Sequence, residues 1–265
     1  MSMHWVVNTS LKREGGYERL IEQLNRQEVE YTLVRKPPFA DYLVSMDSDD
    51  PITLDIEGPV FVTGTTSMGL VSTKHGWNPG YIDSPDIEAC IGTWGNHMLN
   101  HDAVFGSIGS IQVPDTDFFI RPNEDSKAFS GTVMSRPDFE EWRKNLLDIK
   151  GWTSLPPETK VMISPLKKIY AEYRCIVVDG RVVTSSRYKT GKTVAYSNEV
   201  GDRIHEFANR RVSEWNPRIA FALDVADTPE GLKVIETNAI SSSGFYAIDM
   251  GIFVGEITAL ARYFR

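Results

Sequence analysis

The sequence predicts an α+β protein: antiparallel sheets with flanking helices, preceded by a small α/β layer. Three observations carry that prediction. The first third alternates strand-like and helix-like stretches. From about residue 118, strand-like runs follow one another with helices set around them. Two of those runs meet at Asp179-Gly180, the strongest short hairpin signal in the chain, and two more at the turn-like "ADTPEG". The expected division is an N-terminal α/β domain over 1–117 and a second domain over 118–265.

Taken in order, "HWVVN" is a short apolar strand, and "GGYERLIEQLNRQ" sets Tyr17, Leu20, Ile21 and Leu24 at helical spacing. "EYTLVRK" and "GPVFVTG" read as the second and third strands, separated by the acidic, turn-rich "DSDDPITLDIEG", which reads as a surface loop. A helix is expected around "PDIEACIGTWGNHML". "DFFIRP" is a strand with "KAFSGTVM" as its neighbour, and "SRPDFEEWRKNLLD" is a helix with Pro137 near its start and Phe139, Trp142 and Leu146 on one face. "KVMIS", the long "KIYAEYRCIVV" and the returning "RVVTSSRY" are strands. "DRIHEFANRRVSEW" is helical. The strands "IAFALD" and "LKVIETN" and a helix in "GIFVGEITALARYF" complete the chain.

At 265 residues, with 41% hydrophobic and 24% charged residues, the composition is that of an ordinary globular protein. No run reaches the roughly 18 apolar residues of a membrane helix. The start lacks the pattern of a signal peptide, and Cys90 and Cys175 suggest no disulfide framework, so a reduced cytoplasmic setting is expected. Residues 1–117 carry 7 Lys+Arg against 17 Asp+Glu, whereas residues 118–265 carry 21 against 19. The acidic part would repel a phosphate backbone, which argues against general nucleic-acid binding. The oligomeric state is not legible.

Three constellations bear chemistry. In "LKVIETN" a period of two puts Glu236 and Asn238 on one face, and "IAFALD" ends on Asp224. The turn between them makes an antiparallel hairpin that brings Asp224 within reach of Glu236 or its neighbour. Converging carboxylates repel, and Mg²⁺ relieves the conflict because it prefers carboxylate, amide and phosphate oxygens. The plainer alternative is that all three residues merely end the sheet. In "FFIRPNEDSKAFSG", Arg121 and Lys127 bracket a polar loop that can close over phosphates, or else form an ordinary hairpin with solvated charges. In "IYAEYRCIVVDGRVVTSSRYKTGKT", Tyr170, Glu172 and Arg174 share a face, with Arg187, Lys189 and Lys192 on the returning side. That cluster suits either bidentate gripping of an anion or cross-strand salt bridges. His97 and His101 lack the glutamate of a zinc-protease helix, and neither "GSIGSI" nor "GTTSMG" has the spacing of a nucleotide loop.

In this order the pieces resemble the ATP-grasp superfamily. They are similar in particular to a phage and bacterial clade with an arginine in place of the first phosphate-binding lysine. "VIETN" and "FFIRPNEDSKAFSG" carry the resemblance, which spans residues 118–250. It implies an ATP-grasp fold after a small α/β pre-ATP-grasp domain. Arg121 and Lys127 would bind ATP phosphates. Ile163, Ser164, Leu166, Lys168 and Ile169 would line the adenine, with Glu172 and Lys192 also at the nucleotide. Arg174 and Arg187 would be catalytic, at the γ-phosphate or a substrate carboxylate. Asp224, Glu236 and Asn238 would hold Mg²⁺, and "AISSSGFY" would face the acceptor, with Gly244 allowing close backbone approach.

The implied reaction is ATP-dependent joining of a carboxylate to an amine through an acyl phosphate, on an amino acid or a peptide-like small molecule. Two alternatives stay open at this point: ATP-dependent phosphotransfer to a hydroxyl, and a nucleotide-binding module without turnover.

Overall fold

The computed structural model describes residues 2–13, 15–123, 129–149, 153 and 155–264. The N-terminal elements are β1 (His4–Asn8), α1 (Tyr17–Arg26), β2 (Tyr31–Val34), β3 (Leu43–Val44), β4 (Pro51–Ile52), β5 (Val60–Thr63), α2 (Met68–His75) and β6 (Pro79–Gly80). Next come α3 (Ile87–Trp94), β7 (Val104–Ser107), β8 (Phe118–Pro122), β9 (Thr132–Met134), α4 (Arg136–Leu147) and β10 (Lys160–Pro165). The last set is β11 (Ala171–Val178), β12 (Arg181–Thr190), β13 (Thr193–Ser197), α5 (Asp202–Glu214), β14 (Ala220–Thr228), β15 (Gly231–Ala239) and α6 (Met250–Ala259).

The chain forms two compact units. One comprises Met1–Ser84, Ala171–Val225 and Thr237–Arg265, the other Pro85–Tyr170 and Ala226–Glu236. The boundary expected at 117/118 therefore falls within the second unit.

In the first unit β2, β1, β5 and β6 form a parallel sheet in that order, as the strand–helix–strand pattern requires. The apolar stripe of α1 buries Tyr17, Leu20 and Leu24. Its core is shared with later strands and α6: Trp5, Leu20 and Phe61 pack in one cluster with Ile176, Ala222 and Phe253. The Trp5 ring meets Phe61 edge-on at 4.7 Å, and its indole N–H donates to Thr258 Oγ1 at 3.1 Å. The larger sheet has the order β13-β12-β11-β14-β15. Asp179 (φ 50) and Gly180 (φ 74) are both left-handed, as a two-residue hairpin turn of the expected kind demands.

The second unit holds an antiparallel sheet of order β7-β10-β8-β9. Phe118, Ile120, Ile163 and Phe139 of α4 make its core, with the Phe118 and Phe139 rings 5.8 Å apart. Ser135 caps α4 by accepting from Asp138 N at 3.3 Å, and Pro137 sits in the first turn, where no intrahelical donor is lost.

Some elements differ from the sequence expectation. The helix expected over 85–99 stops at Trp94, because Gly95 takes a left-handed φ of 50. The strand expected from Lys168 begins at Ala171. The short strands β3, β4, β6, β7 and β13 and the helix α2 have no counterpart in the sequence reading, and β4 lies within the stretch read as an acidic loop; α2 lacks a coherent apolar stripe, and β13 is a short edge strand after the left-handed Gly191. Among the described residues, no helix is long and apolar enough to cross a membrane. Cys90 and Cys175 are buried and are not joined in a disulfide, and burial pushes the Cys175 thiol above its ordinary pKa.

Candidate functional site

The first unit gathers a polar cluster on one face of the large sheet. β11 supplies Arg174, its neighbour β14 supplies Asp224, and β15 supplies Asn238. The Arg174 guanidinium grips Asp224 bidentately, Nε to Oδ1 at 2.9 Å and Nη2 to Oδ2 at 2.7 Å. Its Nη1 donates to the Gly244 carbonyl at 3.1 Å. Asn238 Nδ2 donates to Asp224 Oδ2 at 3.1 Å, which turns the oxygen end of the amide away from that carboxylate. Burial works against the Arg174 charge, but the Asp224 carboxylate outweighs it and raises the guanidinium pKa.

Around this pair lie aromatic rings. Arg174 stands 4.7 Å from the Tyr246 ring centroid and 5.9 Å from that of Tyr188. Tyr188 and Tyr246 stack at 4.7 Å, and Tyr196 leans on Tyr246 at 5.4 Å. The Tyr188 hydroxyl donates to Glu172 Oε2 at 2.9 Å, while Lys189 Nζ meets Glu172 Oε1 at 2.7 Å. Burial, reinforced by the Asp224 and Glu172 carboxylates, raises the Tyr188 pKa, so the phenol is a neutral donor. A register shift between Glu172 and Tyr173 makes these contacts possible, since Tyr188 is the extra residue opposite that step.

Arg187 is elsewhere on the same sheet. It pairs with Tyr173 across β11 and with Ser197 across β13, so its side chain alternates with Ser186, the partner of Arg174. Ser185, on the Arg187 side, bonds His205 of α5 at 2.8 Å. The Arg187 Nε is buried without a hydrogen-bond partner among the described residues. Lys192 is exposed in the β12–β13 turn.

In the second unit, Arg121 of β8 points its Nη1 at a Glu236 carboxylate oxygen, and its Nε donates to the Pro122 carbonyl at 3.2 Å. Both side chains are partly covered, 18% and 22% exposed. Arg121 lies opposite Met162 in β10, and Ile163 opposite Ile120. Ile163 consequently belongs to the core under α4, while Ser164, on the other face, donates to Asn100 Oδ1 at 3.0 Å. Leu166 and Lys168 are exposed, Ile169 is half-buried, and Lys168 Nζ lies 5.3 Å from the Tyr170 ring centroid. Lys127 lies outside the described residues.

Glu236 and Asn238 are two positions apart on β15, as the alternation requires. The serine run beyond them ties to the N-terminal sheet: the Ser241 carbonyl accepts from Gly64 N at 2.8 Å and Thr63 Oγ1 at 3.1 Å, and its hydroxyl accepts from Ile82 N at 2.9 Å. Tyr188 and Tyr196 escaped the sequence reading as site residues, and Tyr246 entered it only as the end of "AISSSGFY". Their only signal was three tyrosines near the candidate arginines, and the turn that carries Tyr246 has no periodicity to read.

Among the described residues no three His, Cys, Asp or Glu side chains converge as a metal cage. Mg²⁺ needs none, since one or two carboxylates suffice when phosphate oxygens and water complete the octahedron. Asp224, Glu236 and the Asn238 amide are hard oxygen donors of that kind.

A sequence model of the ATP-grasp domain, the third family of its clade, matches residues 42–257. The chain belongs to this ATP-grasp family. Solved structures agree in fold. A D-cycloserine synthetase, DcsG, is 10% identical with a TM-score of 0.63, over 98% of this chain and 99% of that one. A D-alanine–D-alanine ligase from Bacillus anthracis, complexed with ATP, is 13% identical with a TM-score of 0.60, over 98% of both chains. A RimK domain ATP-grasp protein from Sphaerobacter thermophilus is 13% identical with a TM-score of 0.59, over 97% of this chain and 96% of that one. No curated protein matches the sequence. Within the ATP-grasp frame, Arg174, Asp224 and Asn238 make one cluster, and Arg121 and Glu236 make another.

Proposed function

We propose that this ATP-grasp protein is an ATP-dependent carboxylate–amine ligase acting through an acyl phosphate, with an amino acid or a peptide-like small molecule as substrate. The observation that carries the reading is the Arg174–Asp224–Asn238 cluster on strands β11, β14 and β15. An acidic residue so deeply buried and so rigidly held serves geometry better than solubility. The family match supports ATP as the phosphoryl donor, and two of the fold neighbours are named for a ligase and a synthetase.

In this reading Asp224, Glu236 and Asn238 hold Mg²⁺, which when bound neutralises charge on the β- and γ-phosphates. Arg121 and Lys127 grip the phosphates. Ser164, Leu166, Lys168 and Ile169 border the adenine, Ile163 supports that wall from the core, and Glu172 and Lys192 also serve the nucleotide. Arg174 is spent on Asp224 and Gly244, so it acts as a positioning residue. Arg187, with its unpartnered Nε, binds phosphate or the substrate carboxylate. The substrate carboxylate attacks the γ-phosphorus, ADP leaves, and the amine then displaces phosphate from the acyl carbon. Catalysis is electrostatic, and exclusion of water protects the acyl phosphate.

The test is a calorimetric titration with a non-hydrolysable ATP analogue, with and without Mg²⁺, followed by ADP release on carboxylate and amine pairs. Mg²⁺-dependent micromolar binding and ADP release that requires the amine are expected. Absence of nucleotide binding in both conditions would sink the reading. ADP release that proceeds with a hydroxyl acceptor and ignores amines would replace ligation with phosphotransfer.

A further inference from the structure

The two arginine–carboxylate pairs are not alike. Arg174 and Asp224 are sealed in, with side chains 7% and 2% exposed, and the guanidinium has three protein contacts plus two rings beside it. Arg121 and Glu236 are 18% and 22% exposed, and among the described residues the guanidinium bonds, beyond Glu236, the carbonyl of the next residue. The first pair is fixed. The second can part more easily, because its guanidinium is the more exposed of the two and has the fewer contacts among the described residues.

We propose that Arg121 is a shared cation: it pairs with Glu236 in the free protein and transfers to phosphate when nucleotide enters, which opens the place beside Glu236 to a metal ion. This deepens the ligase reading and rests on it. A phosphate group carries more charge than a carboxylate and accepts the guanidinium fork equally well, so it draws Arg121 away. Glu236 then gives up one cationic contact at a partly buried position, and a divalent cation replaces that charge. Nucleotide and metal therefore bind interdependently. The coupling is reciprocal: whatever factor Mg²⁺ adds to nucleotide affinity, nucleotide adds to Mg²⁺ affinity. Without metal, Glu236 competes with the phosphates for Arg121 and holds nucleotide affinity down.

The test is a double-mutant cycle on nucleotide affinity, measured by calorimetry with the non-hydrolysable ATP analogue in the absence of divalent metal. Glu236→Gln releases Arg121, so this variant binds the analogue about tenfold more tightly than wild type, though it has lost a metal ligand. Arg121→Gln alone changes metal-free affinity little, because the arginine is already engaged. In the Glu236→Gln background the same change removes the tenfold gain. Melting curves check the fold of each variant, and Glu236→Ala stands in if the glutamine variant is unstable.

Unchanged or weaker metal-free binding by Glu236→Gln overturns the inference while leaving the ligase reading intact, provided wild type binds the analogue with Mg²⁺. A gain that persists in the Arg121→Gln background also overturns it, since the cause would then be general repulsion by Glu236. Failure of wild type to bind with or without Mg²⁺ overturns the ligase reading and this inference together.

Discussion

Asp224 accepts from both arms of the Arg174 guanidinium, at 2.9 and 2.7 Å, and the two residues are only 2% and 6% exposed. A pair so dry contributes little net stability compared with apolar packing, yet removing one partner strands the other's charge. Asp224→Asn is therefore predicted to cost about 3–5 kcal/mol. Urea denaturation measures this, and a loss below about 1 kcal/mol would show that solvent reaches the site and screens the pair.

Lys127→Ala is predicted to weaken binding of the ATP analogue while leaving the melting temperature of the nucleotide-free protein within about 2 °C of wild type. Phosphate-binding cations on a polar loop contribute to ligand affinity and little to folding. Equal affinity in the two proteins would remove Lys127 from the phosphate site.

Gly131 predicts a coupled defect. A Cβ there would lie 2.5 Å from the Phe119 ring and 3.4 Å from Arg121 Cβ. Phe119 would have to yield, at about 1–3 kcal/mol of overpacking, and β8 would carry Arg121 with it. Gly131→Ala should lower both the unfolding midpoint and nucleotide affinity. A variant that loses neither would mean that Phe119 has room to turn.

His4 gives a pH signature. Burial, only partly opposed by Glu30, depresses its pKa below the ordinary 6.5, and Nε2 hydrogen-bonds with Thr32 Oγ1 at 2.9 Å. The unfolded chain thus takes up the proton first. Stability from neutral His4 is complete above pH 6.5 and falls as pH drops through the lowered value. His4→Gln should flatten that part of the stability curve, read from denaturation midpoints between neutral and mildly acid pH. An unchanged slope would assign it to other groups.

Much of the larger sheet was legible because strands announce themselves through period-two alternation. Asp179-Gly180 fixed one hairpin, and alternation placed Glu236 and Asn238 on one face. The partner of each carboxylate was not legible. Arg174 meets Asp224 fifty residues on and Arg121 meets Glu236 across 115, contacts that only the folded chain decides. The bulge at Glu172/Tyr173, which brings Tyr188 to Glu172, leaves no trace in the alternation. Ile163 shows the limit from the other side, since an apolar residue in a nucleotide-wall motif can as well face the core, and here it does.

The shared core of the first unit has a consequence for the order of synthesis. Trp5, Leu20 and Phe61 emerge from the ribosome long before Phe253 and Ile257, which pack with them. The second unit's core, from Ile108 to Ile163, is by contrast nearly continuous in sequence. It can condense while the N-terminal sheet still waits with its apolar face uncovered. That face is thus open to off-pathway association until α6 has been made, and the arrival of this helix is the event that ends the exposure.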